Sequence, residues 1–329
     1  MKVIIPVAGT GTRLRPHTLT QPKALLNVAG HPMIYHIIKQ LIDDKLAESI
    51  IMVLGVMGDK ISEYLDKTFN FKFDYVQQDV QHGLGHAIYC AKELFNPEVR
   101  DDVLIILGDT LFDVDLKDMC GQKYSVIGVK KVEDPRRFGV IEKNKHGFIT
   151  RFIEKPASTA VSPSDEAIVG IYFLKNSALL FNSLEHIINH DIRSKGEIQL
   201  TDALETMIMS KEKIKSYNIN GWLDCGKPET MLETNRYLLD KMKKKYNLKG
   251  VVLNYPVYIG DKTVIENSVI GPNATIANNC IIKNSVISDS IIDEYVQVEN
   301  SVISDSLVGR NSRVINRKQV LNLGEYSEI

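Results

Sequence analysis

The stretch PVAGTGTRLRPHTLTQPKALLNVAG, residues 6–30, places Gly9 and Gly11, then Arg13, Arg15 and Lys23, directly after an apolar run. These residue types suit an anion, because bare glycine amides allow close approach while guanidinium and ammonium groups neutralise charge. The loop matches neither familiar phosphate motif. A P-loop needs G-x-x-x-x-G-K-[ST], which Gly11 does not begin or complete, and a dinucleotide fingerprint needs glycine at 14, where Leu14 stands. Two carboxylates sit at similar apolar-to-polar junctions, Asp109 after the run VLIIL and Asp224 in GWLDCG.

Such residues need a rigid support, and the first two thirds of the chain supply the pattern for one. Val3–Val7, Ser49–Leu54, Phe73–Gln77 and Val103–Leu107 are short and β-branched, as expected for strands of a mostly parallel, buried sheet. Between them, Met33–Ile42 and Gly85–Leu94 carry apolar residues at helical spacing. Strand–helix alternation predicts a doubly wound α/β domain with ligands at the carboxyl ends of its strands.

From Tyr255 the period changes. Isoleucine or valine recurs at 259, 265, 270, 276, 282, 287, 292, 298, 303, 308 and 314, and NSVI appears at 267, 284 and 300. Three steps of five or six residues per repeat of 16 or 17 describe a triangular parallel β-helix with one inward aliphatic residue per face. Glu229–Tyr246 reads as one connecting helix, which puts the domain boundary near residue 250: a catalytic domain over 1–249 and a coil over 250–329. Acyl transfer on such a coil would call for a histidine base, yet all eight histidines lie between His17 and His190. The coil is therefore expected to serve oligomerisation or regulation.

Composition excludes several classes. With 329 residues and 44% hydrophobic content, the chain can fill two domains. Forty basic against 41 acidic residues, net −1, argue against a general nucleic-acid or membrane-surface binder. No apolar stretch approaches the roughly 20 residues of a membrane span, and the N-terminus lacks a signal peptide's apolar core. Cys90, Cys120, Cys225 and Cys280 form no C-x-x-C pair, so no disulfide framework or zinc site is indicated. The expected setting is a reducing cytoplasm.

The segment Ala8–Met33 resembles the signature of sugar-1-phosphate nucleotidylyltransferases, G-x-G-T-R-L-x-P followed by P-K and K-P-M, with His31 standing where lysine is frequent. Further motifs follow in order: Gln78 with Gly83-Leu84, Gly108-Asp109, Gly139, Glu154-Lys155-Pro156, Gly170, Glu197 and Asp224. Together they cover residues 1–240, and long-form members carry the left-handed hexapeptide β-helix as well. The resemblance implies a nucleotide-diphospho-sugar transferase fold and a reaction of nucleoside triphosphate with sugar 1-phosphate, releasing pyrophosphate. It implies Mg2+ on Asp109 and Asp224. Arg13 would clamp the triphosphate, and Lys23 would bridge the two reacting phosphates. Ala8, Gly9, Gly11, Thr12, Gln78 and Gly83 would hold the nucleotide, Gln78 reading its base. Gly139, Glu154, Lys155, Gly170 and Glu197 would hold the sugar phosphate. Arg15 would only shape the loop, His82 and His86 would line it, and Tyr35 and His36 would belong to the core.

The resemblance favours dTTP or UTP with glucose 1-phosphate, since the Gln78 amide can pair with an imide edge. Mannose-1-phosphate guanylyltransfer is the runner-up because guanine also carries an amide edge. A non-catalytic regulatory subunit of the same fold would have lost the loop cations or the aspartates, all of which are present here. Self-association through the coil is expected.

Overall fold

The computed structural model describes residues 1–158, 161–316, 318–319 (backbone only) and 322–328. It contains two compact units. One comprises Met1–Gly9, Ile38–Gly108 and Phe112–Trp222; the other comprises Thr10–Ile37, Asp109–Leu111 and Leu223–Ile329.

The first unit is built on a nine-stranded sheet, whose main path runs Ile149–Glu154, Gly139–Lys143, Glu166–Leu174, Val103–Ile106, Lys2–Pro6, Ser49–Leu54, Phe73–Gln77. The central strand Lys2–Pro6 pairs in parallel with both neighbours, Lys2 opposite Ser49 on one side and Val103 on the other. The sheet is mixed rather than uniformly parallel, because Glu166–Leu174 runs antiparallel to Val103–Ile106, Ser125–Lys131 and Gly139–Lys143. Alternate residues of the central strands face opposite sides, and Val3, Ile4, Ile5, Ile50, Ile51, Met52 and Val53 are all fully buried, so both faces are covered. One face packs Ile4, Ile51 and Val53 against Ile88, Leu184 and Leu204, which come from the helices Leu84–Tyr89, Ser177–Asn189 and Leu200–Met209. Each such aliphatic side chain contributes about 1.5–3 kcal/mol of burial.

In the second unit the coil is a left-handed parallel β-helix with three faces, of five, five and four short strands among the described residues. The repeated phrase NSVI now has a physical account. Asn267, Asn284 and Asn300 turn the corners with φ of 46°, 48° and 47°, a left-handed conformation that asparagine tolerates better than most residues. The serine hydroxyls stack inside the coil, Ser268 accepting from the Ser285 N–H at 3.0 Å and Ser285 from the Ser301 N–H at 3.1 Å. The valine points outward, and the isoleucine enters the core, with Ile270 opposite Ile287 and Ile287 opposite Ile303. Ten of the eleven periodic aliphatic positions are buried, and Ile265 is half-buried against the same core.

The connecting helix is shorter than its sequence suggests. It runs Pro228–Asp240, not to Tyr246. Beyond it, side chain-to-backbone bonds replace helical ones: the Tyr246 N–H donates to the Tyr255 hydroxyl at 2.7 Å, and the Ile259 N–H donates to the Tyr246 hydroxyl at 3.0 Å. Lys245 lies 3.7 Å over the Tyr255 ring, a cation–π contact that draws one of the crowded lysines away from a helical register. Among the described residues, no helix is long and apolar enough to cross a membrane.

Candidate active site

Within the second unit, the glycine-rich loop closes on itself. Gly11 sits at φ 61°, and its carbonyl accepts from the Leu14 N–H at 2.9 Å and the Thr18 hydroxyl at 2.8 Å. A side chain at 11 would press to 3.0 Å from Thr18 and 3.1 Å from Lys23, so glycine is required for both conformation and space. Leu14 is fully buried and anchors the one-turn helix Thr12–Leu14, leaving Thr12, Arg13 and Arg15 exposed. Lys23, by contrast, is 9% exposed. Its ammonium group donates to Asp109 Oδ2 at 2.8 Å, and the Thr110 hydroxyl donates to Asp109 Oδ1 at 3.1 Å.

Asp109 is thereby held as a carboxylate. Burial pushes its pKa up, but the Lys23 charge and hydrogen bond, the Thr110 hydroxyl and the Arg13 guanidinium outweigh burial and bring it below the ordinary value. Its side chain remains 47% exposed, open to a ligand from solvent. Asp224 joins the same cluster. A Cβ built on Gly226 would lie 2.9 and 3.1 Å from the Asp224 carboxylate oxygens and 3.1 Å from Arg13 Nη2, so both side chains converge on the bare α-carbon of Gly226. The Cys225 N–H donates to the Asp109 carbonyl at 3.4 Å, tying the two aspartate segments together. Cys225 itself is fully buried, and burial pushes its thiol up to about 12, so it is inert. Arg13, Lys23, Asp109 and Asp224 thus come together from segments more than 200 residues apart. The two carboxylates offer hard oxygen donors, and no cluster of three or more metal-ligating side chains exists among the described residues, a set that fits magnesium better than zinc.

The first unit gathers the other candidates. The Ala8 carbonyl accepts from Gln81 Nε2 at 2.6 Å, and a side chain at Gly55 would collide with that carbonyl at 2.5 Å. Gly9 has open space around it. Gln78 is buried, its Nε2 donating to the Gly83 carbonyl at 3.3 Å and lying 3.1 Å from His86 Nδ1, while His82 packs edge-on against His86. Gly83, at φ 110°, brings this loop against the Glu197 segment, where a Cβ would meet the Ile198 carbonyl at 2.6 Å. Glu197 accepts from Gln199 Nε2 at 2.9 Å. Gly139 makes room for Glu154, whose Oε2 would lie 2.9 Å from an added Cβ. Lys155 pairs with Glu154 at 3.5 Å and sits at φ 45°, strain that recurs at ligand clamps. Gly170, at φ 94°, packs its bare face on Leu107.

Four residues at these clusters escaped the sequence reading. Gly226 and Gln81 are described above. Trp222 packs edge-on on Phe138 at 4.8 Å, and its buried indole Nε1 finds no partner among the described residues, nor does the buried hydroxyl of Thr201 next to Gly139. Their signal was available only as proximity to GWLD and RFGV. His31 stacks on Tyr35 at 4.1 Å, and burial and the Lys244 charge lower its pKa, making it a neutral packing ring. His36 donates or accepts at the Val28 carbonyl, 3.0 Å away, with its pKa lowered by burial to about 4.

A family model described as nucleotidyl transferase matches residues 2–241. The chain belongs to the nucleotidyl transferase family. Among its relatives, the bifunctional protein GlmU of Methanococcus maripaludis is 34% identical over 270 residues, covering 82% of this chain and 61% of GlmU. The chain thus spans less than two thirds of the length of such relatives. The glucose-1-phosphate thymidylyltransferase of Streptomyces griseus is 29% identical and aligns over 99% of this chain and 98% of its own. Among solved structures, a UDP-glucose pyrophosphorylase complexed with UDP-glucose superposes with a TM-score of 0.61 at 27% identity, covering 73% of this chain and 99% of that one.

Proposed function

We propose that this chain is a sugar-1-phosphate nucleotidyltransferase acting on a pyrimidine nucleoside triphosphate, dTTP or UTP, and glucose 1-phosphate. The convergence of Arg13 and Lys23 with Asp109 and Asp224 carries the reading. An oxygen of the sugar phosphate attacks the α-phosphorus in line; a new P–O bond forms as the bond to the β-phosphate oxygen breaks, and pyrophosphate leaves. The attacking phosphate is already ionised, so no general base is required, and catalysis rests on positioning and charge neutralisation. Lys23 would move from Asp109 onto the reacting phosphates, its ammonium neutralising the two anions as they meet. Arg13 would hold the departing pyrophosphate. Asp109 and Asp224 would hold Mg2+, which when bound supplies further charge neutralisation at the phosphate oxygens.

In the first unit, Gln78 commits its Nε2 inside the loop, which leaves its carbonyl oxygen to accept the imide N–H of uracil or thymine. Those bases differ by one methyl, worth about 1 kcal/mol of burial, so weak discrimination between them is expected. Lys155 would hold the sugar phosphate. Glu154 and Glu197 would accept from sugar hydroxyls, with the unpartnered Thr201 and Trp222 groups as further contacts. The names of the thymidylyltransferase and UDP-glucose relatives support the choice of base and sugar. A screen of nucleoside triphosphates against sugar 1-phosphates by pyrophosphate release tests it, with kcat/KM highest for dTTP or UTP with glucose 1-phosphate. A higher value for GTP with mannose 1-phosphate would replace this substrate assignment with guanylyltransfer.

Domain roles follow the sequence division, catalysis in residues 1–249 and association in 250–329. Self-association through the coil is supported by an outward ladder in which Val252 pairs with Val269, Val269 with Val286 and Val286 with Val302; Val252, Val286 and Val302 are 57%, 39% and 40% exposed. Light scattering on a Val286→Lys/Val302→Lys double variant should show a smaller particle than the parent; an unchanged mass would contradict association by this face.

A further inference from the structure

One face of the coil is covered where the others are open. Its outward residues Thr275, Ile291 and Leu307 are at most 4% exposed, while Val264 and Ile281 on another face are 46% and 40% exposed. What covers it is the segment that carries Arg13 and Lys23, together with the helix that follows Asp224. The contacts fall on successive strands of this one face. Asn235 bridges the first, its Oδ1 accepting from the Ala29 N–H at 2.8 Å and from the Thr275 hydroxyl at 2.7 Å. Next, Asn27 donates to Asp293 Oδ1 at 2.5 Å, the same oxygen that accepts from the Glu294 N–H at 2.8 Å. Leu26 and His17 then line a small cavity with Leu307 and Val308. At the last coil His17 Nε2 meets Asn322 Oδ1, and the Pro16 ring packs close on Gly324, where an added Cβ would lie 3.0 Å away. The helix Pro228–Asp240 is pinned beside them, with Arg236 bonded to Asp289 and Asp305 at 2.8 Å each.

We propose that the coil sets the position of the phosphate loop, with Asp293 and Asn27 as the principal positioning pair and His17 with Asn322 as the second. This inference rests on the nucleotidyl-transfer reading for its consequence in turnover, though not for its effect on the loop. A short irregular loop has little internal bonding to fix it, and its cations are useful only where the triphosphate lies. External hydrogen bonds from a stiff repeat remove that freedom before the nucleotide arrives, which saves ordering entropy on binding. Asp293 suits the task because both of its donors share Oδ1. An asparagine there can keep that oxygen and both bonds, whereas alanine loses them.

The test uses the full chain and the variants Asp293→Ala, Asp293→Asn and Asn27→Ala. Two quantities are read: hydrogen exchange of peptides within residues 10–28, and KM for the nucleoside triphosphate against KM for the sugar phosphate. Asp293→Ala and Asn27→Ala should each raise loop exchange and raise nucleotide KM roughly tenfold, the cost of one lost buried hydrogen bond. Sugar-phosphate KM should not change, the double variant should be no worse than either single one, and Asp293→Asn should behave as the parent. A merely structural role would lower melting temperature and the active fraction while leaving nucleotide KM alone. Parental exchange and KM in both alanine variants would overturn the proposal, as would an Asp293→Asn variant as impaired as Asp293→Ala. Should Asp293→Ala fail to fold, Asn27→Ala decides on the same readouts. If the parent chain turned over no nucleotide and sugar phosphate at all, the nucleotidyl-transfer reading would fall, and loop exchange alone would decide the positioning role.

Discussion

Lys23 shows what a buried cation requires. Taking an ammonium group from water is costly unless a carboxylate and hydrogen bonds offset it, and Asp109 at 2.8 Å does so. The Lys23 charge and hydrogen bond in turn help hold Asp109 as a carboxylate. Gly226 is the residue at which this cluster is most sensitive to volume. An added methyl would lie within 2.9–3.1 Å of Asp224 and Arg13, displacing both. Gly226→Ala should therefore depress kcat/KM by roughly tenfold or more while changing stability by less than about 1 kcal/mol, measured by steady-state assay beside thermal melting. Parental kinetics in this variant would mean that Asp224 and Arg13 need no fixed position. The residue types of this cluster were legible in the sequence, since cations and aspartates at apolar-to-polar junctions stand out. Gly226 was not, because a glycine's importance lies in what crowds it.

At the scale of elements, legibility followed local periodicity. Strands Ser49–Leu54 and Phe73–Gln77 and the start of the helix at Met33 stand where the pattern put them, and the inward aliphatic positions of the coil follow a period written into the chain. The parallel pairing of Lys2–Pro6 with Ser49–Leu54 and Val103–Ile106, and of Ser49–Leu54 with Phe73–Gln77, was legible, whereas the direction of Glu166–Leu174 was not, because it has the same buried apolar character whether its neighbours run parallel or antiparallel. The helix end at Asp240 was missed because tyrosine hydroxyl bonds spanning 9 and 13 residues, not local propensity, decide it. The covered face of the coil was also invisible, since Asn27 and Asp293 are 266 residues apart. That face carries a pH signature. Burial pushes Asp293 up from 3.8 to about 6, against the Glu294 N–H, Asn27 and Arg310, which favour its charge. His17, which lines the same cavity, has its pKa lowered by burial and stays neutral. A carboxyl with a raised folded pKa imposes no penalty below about 3.8, and the penalty grows as pH rises to about 6. Melting of the parent and of Asp293→Asn should then coincide near pH 4 and separate above pH 6, the asparagine variant being the more stable. Equal melting temperatures at pH 7.5 would show that Asp293 ionises without cost.

For the whole molecule, the unit that contains the coil also contains Arg13, Lys23, Asp109 and Asp224, whereas Lys155 lies in the other unit. The sequence divides the chain near residue 250, because composition and period change there, yet packing joins residues 10–37 and 109–111 to the coil. A division drawn from periodicity cannot register contacts made by a loop that has no period. The chain's place in the nucleotidyl transferase family and its cluster of two cations and two aspartates make one central claim, that neutralisation of phosphates by this cluster drives nucleotidyl transfer. The most direct measurement is pyrophosphate release by the full chain with Mg2+, glucose 1-phosphate and dTTP or UTP, beside the Asp109→Asn variant. The parent should turn over, and the variant, assayed below a melting temperature lowered by the loss of the Lys23 partner, should fall on the order of a hundredfold or more. Equal rates in the two proteins, or no release from the parent with any nucleotide and sugar phosphate, would contradict the account.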